Sequence, residues 1–242
     1  MTAMGYRSVV EITRERFVNP RRALITGGTR GIGLAIARKL AADGHAVSIC
    51  SRNHHEEPGV KWFRYDALQT GNGRAEAIVN TCAPDILINN VGGGGRWGEE
   101  DVVDTPTQVW AQVYEKNAVA TMEFTCLALP RMREYKWGRV VTITSIHGGK
   151  DGNGRPWFVM TKAAQTALMK SLATQSYLAR DGITFNSVAP GEIDVGKPPS
   201  SPDVRMGTPE DVAAIVAFLC SDAARHINGA NIVVDGGQSR AI

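Results

Sequence analysis

The stretch from residue 22 to residue 50 constrains this chain most. A short apolar run, Arg22-Ala-Leu-Ile-Thr26, passes through a glycine-rich turn into a segment of helical periodicity, and a second short apolar run follows. The helical segment extends from Gly31 to Asp43, with Ile32, Ile36 and Leu40 on one face and Gly44 as its stop. A strand that feeds a helix and returns as a strand is the repeating unit of parallel sheets covered by helices. The pattern continues along the chain. Further strand-like runs fall at Ala46 to Cys50, Lys61 to Tyr65, Asp85 to Ile88, Arg139 to Ile143, Ile183 to Val188 and Asn231 to Val234. Thr105-Pro106 and Thr208-Pro209-Glu210-Asp211 each look like a capping residue followed by proline in the first helical turn. Trp110, Val113, Asn117, Ala120, Phe124 and Ala128 recur at helical spacing after the first of these. A third helix is expected from about Trp157 to Arg180, with small residues Ala163, Ala164, Ala167 and Ser171 that let another helix approach. The expected fold is α/β: a doubly wound parallel sheet of about seven strands with helices on both faces, in one domain spanning residues 21–242. Residues 1–20 fit none of this and read as an N-terminal extension.

Composition excludes several classes of function. The 242 residues are 43% apolar and 21% charged, ordinary for a soluble globular chain. The formal charge of +3 is too small to argue for nucleic acid or an anionic membrane surface as partner. The longest apolar stretch, Val212 to Cys220, is far short of a membrane span, and Glu11, Arg14, Glu15 and Arg16 interrupt any secretory signal. Cys50, Cys82, Cys126 and Cys220 lie far apart without metal-ligand spacing, so no metal is expected. They read as buried free thiols of a cytoplasmic protein.

The turn itself, Thr26-Gly27-Gly28-Thr29-Arg30-Gly31-Ile32-Gly33, stands between a strand and a helix. Glycines there let backbone pass close to a pyrophosphate, and the helix start presents free N–H groups and partial positive charge to it. Without a ligand the same residues make only a tight turn. The T-G-x-x-x-G-I-G spacing resembles the short-chain dehydrogenase/reductase family, and further motifs match in that family's order. Asp66 closes the third strand, where the family places an aspartate against adenine. Asn89-Asn90-Val91-Gly92 matches the N-N-A-G after the fourth strand; Asn117 lies mid-helix, Ser145 follows the fifth strand, and Lys162 lies near the start of the next helix. Pro190-Gly191 follows the sixth strand, and Asn228-Gly229 with Val234-Asp235-Gly236-Gly237 resembles the C-terminal motif. The resemblance covers roughly residues 21–240 and implies a Rossmann-type fold, a nicotinamide cofactor and a homodimer or homotetramer. It assigns Gly27, Arg30, Gly31, Ile32, Gly33, Arg52, Asp66, Asn90, Gly92, Lys162, Pro190, Gly191 and Ile193 to cofactor binding.

The second strand bears on which nicotinamide is bound. An NAD site usually offers a carboxylate there to the ribose hydroxyls. This chain has Cys50-Ser51-Arg52-Asn53 instead. Arg52, with Arg30 from the glycine turn, suits a 2′-phosphate, because arginine–phosphate contacts are charge-assisted. NADP(H) is therefore the expected cofactor; the alternative for Arg52 is a solvated surface side chain.

The resemblance also implies four catalytic side chains. A tyrosine exchanges the proton at the substrate oxygen, a lysine four residues later lowers its pKa and holds the ribose, a serine orients the carbonyl, and an asparagine supports a water relay. Asn117, Ser145 and Lys162 match. Four residues before Lys162, and thirteen after Ser145, stands Phe158. A phenyl ring has no titratable proton. General acid–base help is worth about 10² to 10⁴ in rate, or roughly 3 to 5.5 kcal/mol of barrier. Juxtaposing hydride donor and acceptor contributes up to roughly 7 to 11 kcal/mol. Hydride transfer can survive loss of the phenol, whereas ordinary ketone–alcohol interconversion becomes doubtful. Four explanations stand. His147, Lys162, Ser145 through water, or a substrate hydroxyl supplies the proton. The hydride goes to a conjugated double bond whose product is protonated by solvent. The protein is a catalytically silent cofactor-binding or regulatory relative. Or the phenylalanine is an engineered replacement. Where relatives often have a threonine hydroxyl for the carboxamide, this chain has Val195.

The segment from Glu192 to Gly207 replaces the family's variable lid with sixteen residues, including Lys197-Pro-Pro-Ser-Ser-Pro202. So short and polar a segment suits no long acyl chain and is of the kind that moves. Arg96, Trp97, Lys150, Asp151, Asn153, Arg155 and Trp157 are expected rim residues, beside Gly92-Gly-Gly-Gly95. The tryptophans either meet substrate or pack the loops. A small hydroxylated or anionic substrate, such as a sugar derivative, fits this rim.

Overall fold

A computed structural model describes residues 20–94, 97–99, 101–148, 155–196 and 198–239. The proposed extension, apart from residue 20, therefore lies outside the described residues, as do Arg96, Lys150, Asp151 and Asn153 of the expected rim and Lys197 of the lid segment.

Seven strands form a single parallel sheet: β1 (Arg22–Thr26), β2 (Ala46–Ser51), β3 (Val60–Arg64), β4 (Ile86–Asn89), β5 (Gly138–Ile143), β6 (Ile183–Pro190) and β7 (Asn231–Val234). Their order across the sheet is β3-β2-β1-β4-β5-β6-β7, and every pairing is parallel. The expected doubly wound sheet and its strand number are both observed. The order reverses between β1 and β4, where Ala23–Ile25 align with Ile86–Ile88, and open α/β sheets take their ligands beyond the carboxyl ends of the strands at such a point.

Alternation along the strands builds two cores. Ile25, Ile86, Ile88 and Val141 face one side, under Ile36 and Leu40 of helix α1 (Gly31–Ala42). Leu24, Leu87 and Val140 face the other, under α2 (Arg74–Cys82) and a longer helical arm. That arm consists of α3 (Thr107–Tyr114), a π-helical turn (Glu115–Val119) and α4 (Ala120–Glu134). Helices α5 (Pro156–Ala173) and α6 (Ser176–Arg180) complete this face. On the first face α7 (Pro209–Cys220) lies against α1. No helix among the described residues is long and apolar enough to cross a membrane.

Some boundaries differ from the sequence-based expectation, each for a local reason. The helix expected over 157–180 is interrupted: Gln175 is extended, and Thr174 and Gln175 donate side-chain bonds to the Ser171 carbonyl, which closes α5. Thr105 does not cap α3. Its hydroxyl is buried, donating to Asp101 O and accepting from Glu99 N, and Pro106 takes the cap position instead. Cys50 and Cys220 are buried as expected, Cys82 is half-buried, and Cys126 is exposed. At α7 the expected cap is present. The Thr208 hydroxyl accepts from Asp211 N at 3.3 Å, and Asp211 accepts from Thr208 N at 2.7 Å. Thr208→Ala is expected to destabilise the protein by about 1 kcal/mol. A thermal melt with unchanged midpoint would show that the box contributes nothing.

Candidate functional site

The glycine turn connects β1 to α1, and its shape excludes side chains. Gly27 and Gly31 adopt positive φ (69° and 52°). A Cβ on Gly33 would lie 2.3 Å from Gly27 O and 2.4 Å from Asn90 Nδ2, and one on Gly28 would lie 2.4 Å from Ile49 Cγ2. The turn is therefore pressed against its own backbone and against β2 and β4. Arg30, exposed at the N-cap, gives α1 no side-chain cap, and the first turn carries no acidic residue. Ile32 N–H and its neighbours thus face the crevice at the positive end of the helix dipole.

Asn90 tightens this arrangement. Its Nδ2 donates to Thr26 O and Gly27 O, both at 3.0 Å, while Thr26 Oγ1 accepts from Asn90 N and Val91 N at 3.0 Å each. The side chain thus braces the turn from the end of β4.

At the ends of β2 and β3 lies a cavity of about 240 Å³ lined by Arg52, Asn53, Arg64, Tyr65, Asp66, Gln69, Asn72 and Arg74. Asp66 shapes it by accepting from Leu68 N at 3.1 Å. Arg52, Arg64 and Arg74 make no salt bridge among the described residues. Arg64 and Arg74 do not stand out in the sequence, because one ends a strand and the other starts α2, a helix whose mixed polarity hides it.

The second half of the site gathers at the carboxyl ends of β4 and β5. Gly92 sits so close to two side chains that a Cβ would be 2.7 Å from Asn117 Oδ1 and 3.2 Å from Lys162 Nζ. Asn117 occupies the π-helical turn and is fully buried. Its Nδ2 donates to Gly93 O (2.8 Å) and Val113 O (2.7 Å), and its Oδ1 accepts from Gly93 N (3.1 Å). The side chain thus holds the glycine loop.

Lys162 reaches from α5 to donate to Ile143 O at 2.9 Å. Burial, with the charge of Lys116 adding to it, pushes its ammonium down to about 7. The Phe158 ring centre is 5.7 Å from Lys162 Nζ. Ser145 follows β5, half-buried, and its Oγ accepts from His147 N at 3.3 Å. Gly148 brings this loop against α5: a Cβ there would lie 2.4 Å from Lys162 Cβ. His147 lies close enough to Glu192 for its charge to help hold that carboxyl low, behind the larger effect of the Ser200 hydroxyl.

Lys116, adjacent to Asn117, is half-buried over the Trp97 ring at 4.5 Å. Its ammonium is held below the usual lysine range by burial first, then by Arg52 and Arg30. Lys116 thus lies within the field of Arg52 and Arg30 and itself acts on Lys162.

Beyond β6, Gly191 N donates to Val234 O at 3.0 Å after Pro190, and Ile193 is nearly buried and bridges Gly207. The Glu192 carboxylate accepts from Ser200 N at 2.8 Å, from Ser200 Oγ and from Gln238 Nε2 at 3.3 Å. Asp194 N and Gly207 O pair at 2.8 Å. The lid segment expected to move is thus tied at its base and middle. Val195 packs over the glycine turn, 3.1 Å from a Cβ placed on Gly31. Of the two tryptophans, Trp157 is fully buried, donating to Gly94 O at 3.3 Å and stacked edge-on to Trp110, so it packs the loop.

Residues 27–239 match the family model described as "Enoyl-(Acyl carrier protein) reductase". The chain is 35% identical to an acetoacetyl-CoA reductase of Rhizobium meliloti, over 90% of this chain and 98% of the relative. It is 33% identical to the human dehydrogenase/reductase SDR family member 4, over 93% and 90%. Among solved structures, an acetoin dehydrogenase of Salmonella typhimurium superposes with a TM-score of 0.78 at 28% identity, covering 90% of this chain and 96% of that one. The parallel sheet, the glycine turn at its switch point and these likenesses agree: this chain belongs to the short-chain dehydrogenase/reductase family of oxidoreductases.

Proposed function

We propose that this chain is an NADP(H)-dependent oxidoreductase that passes a hydride between nicotinamide and a small polar metabolite, with the accompanying proton handled by a group other than side chain 158. The observation that carries the cofactor choice is the cavity at the ends of β2 and β3, where Arg52, Arg64 and Arg74 surround one carboxylate, Asp66. Such a surplus of guanidinium groups suits a 2′-phosphate and repels nothing that NADP(H) brings. The glycine turn suits the rest of the dinucleotide as well: Gly27 and Gly31 hold positive φ and α1 begins without a side-chain cap or an acidic residue, which leaves its first N–H groups to a pyrophosphate.

In this reading Gly27, Gly31, Ile32 and Gly33 receive the pyrophosphate at the α1 terminus, and Arg30 and Arg52 pair with the 2′-phosphate. Asp66 meets the adenine, Lys162 the nicotinamide ribose, and the backbone of Pro190, Gly191 and Ile193 the carboxamide. When bound, the cofactor supplies or accepts the hydride. Ser145 orients the substrate oxygen, and Phe158 walls the pocket and excludes water. His147, two residues beyond Ser145 and within the field of Glu192, is the side chain we assign to the proton. The braced, polar 192–207 segment supports a small hydroxylated substrate such as a sugar derivative, and the acetoin dehydrogenase relative is named for a small hydroxyketone. The relative named for acetoacetyl-CoA favours a second reading, a short 3-oxoacyl thioester.

A homodimer or homotetramer is supported by the outer faces of the helical arm and α5, where Tyr114, Met122 and Met160 are exposed beside small residues. Free thiols accord with a cytoplasmic location.

Arg52→Ala tests the cofactor assignment. It is expected to weaken NADPH binding by about 10- to 100-fold while leaving NADH within about twofold. Fluorescence titration of both cofactors decides it, and equal weakening of the two would sink the assignment.

A further inference from the structure

We propose that Gln165 is a positioning residue that fixes the Gly92–Gly93 backbone relative to Lys162, the lysine assigned above to the nicotinamide ribose. The inference rests on the function proposed above. Gln165 lies three residues beyond Lys162 on α5, so the two occupy successive turns of one helix face. It is fully buried against the π-helical turn. Its Nε2 donates to Asn117 O at 3.1 Å and to Thr121 Oγ1 at 2.7 Å. Asn117 in turn holds Gly93 through both its amide nitrogen and its oxygen. Gly92 is lodged between Asn117 Oδ1 and Lys162 Nζ. One amide therefore ties the helix that carries the lysine to the turn that carries the asparagine, and the glycine backbone lies between them.

Folding alone does not call for an amide here. Asn117 O already accepts the Thr121 hydroxyl at 2.7 Å. Gln165 Oε1 meanwhile is buried without a hydrogen-bond partner among the described residues, which costs stability. An aliphatic side chain of the same length would remove that orphan and leave the served carbonyl still bonded. A π-helical turn has a looser ladder than an α-helix and is often found at functional sites. The amide pins that turn laterally through its Nε2 bonds to Asn117 O and Thr121 Oγ1.

The test uses the full chain with Gln165→Met, and Gln165→Leu as a second variant. Both are expected to melt at or above the temperature of the unaltered protein. Each should bind NADPH about tenfold more weakly. Binding of 2′,5′-ADP, which carries the adenosine phosphates and no nicotinamide ribose, should stay unchanged. That split separates positioning from a general loss of structure. Parallel weakening of both ligands, unaltered NADPH affinity, or failure of both variants to fold would each overturn the proposal. If the unaltered chain binds 2′,5′-ADP and NADPH normally, such a result counts against Gln165 alone. If the unaltered chain binds neither, the proposed function falls first and this inference with it.

Discussion

Phe158→Tyr is expected to raise carbonyl-reduction turnover with NADPH by about 10² to 10⁴. The ring at 158 lies one helical turn before Lys162, its centre 5.7 Å from the ammonium nitrogen. A phenol placed there comes within the field of Lys162, which in its charged form favours the phenolate. The groups proposed above for the reaction surround it: Ser145 on the neighbouring loop, Lys162 on the same helix, and the glycine loop opposite. A panel of hydroxyketones, sugar carbonyls, enones and acetoacetyl-CoA measures the effect. A rise marks an otherwise intact reductase. Equal native and variant activity marks another proton donor; His147→Ala should then lower turnover, and an unchanged pH profile would remove His147 from the mechanism. Silence of both proteins despite tight NADPH binding would reject catalysis and leave a cofactor-binding protein.

Cofactor affinity should also depend on pH through Lys162. Burial and the Lys116 charge bring this ammonium down to about 7, so the protein without ligand carries it charged below that pH and neutral above. The dinucleotide favours the charged form, and binding therefore draws a proton at higher pH. The dissociation constant should be flat below about pH 7 and rise by up to about tenfold per unit above it. In Lys162→Met the slope should vanish and affinity at low pH should fall. Stability runs the other way. The unfolded chain keeps the lysine protonated up to its ordinary value of 10.5, whereas the folded chain releases that proton near 7. Lys162 therefore makes folding more favourable as pH climbs between those values, and the methionine variant should lose that contribution. NADPH titrations from about pH 6 to about pH 9 test the first claim; a flat response in the unaltered protein would refute it.

Much of this was legible in the sequence because strands and turns obey local rules. The seven apolar runs coincide with the seven strands to within a residue or two, since each is short, carries β-branched or aromatic residues and is bounded by turn chemistry. The glycine turn could be placed from spacing because only residues lacking Cβ fit where Gly33 meets Gly27 O. What escaped notice depends on contacts between distant segments. Helix α2 has a mixed face and begins at a left-handed glycine without a side-chain cap. The π-helical turn preserves the apolar spacing of the helix around it, so periodicity alone does not reveal it. Arg64 and Arg74 acquire meaning only when β3 and α2 bring them to the cavity of Arg52. Trp157 illustrates the reverse case, an aromatic residue near the site that turns out to be structural.

The hydrogen bonds that join Asn90 to Thr26 and Gly27 have a further consequence. They join the end of β4 to the turn after β1, beyond the last paired residues of the two strands, with side chains already in the protein. The phosphate-facing turn is thus preorganised before any ligand arrives, and affinity is not eroded by the entropy of ordering a loop. Association should therefore proceed without a slow structural rearrangement of this turn, and the shape of the crevice should be the same with and without its guest.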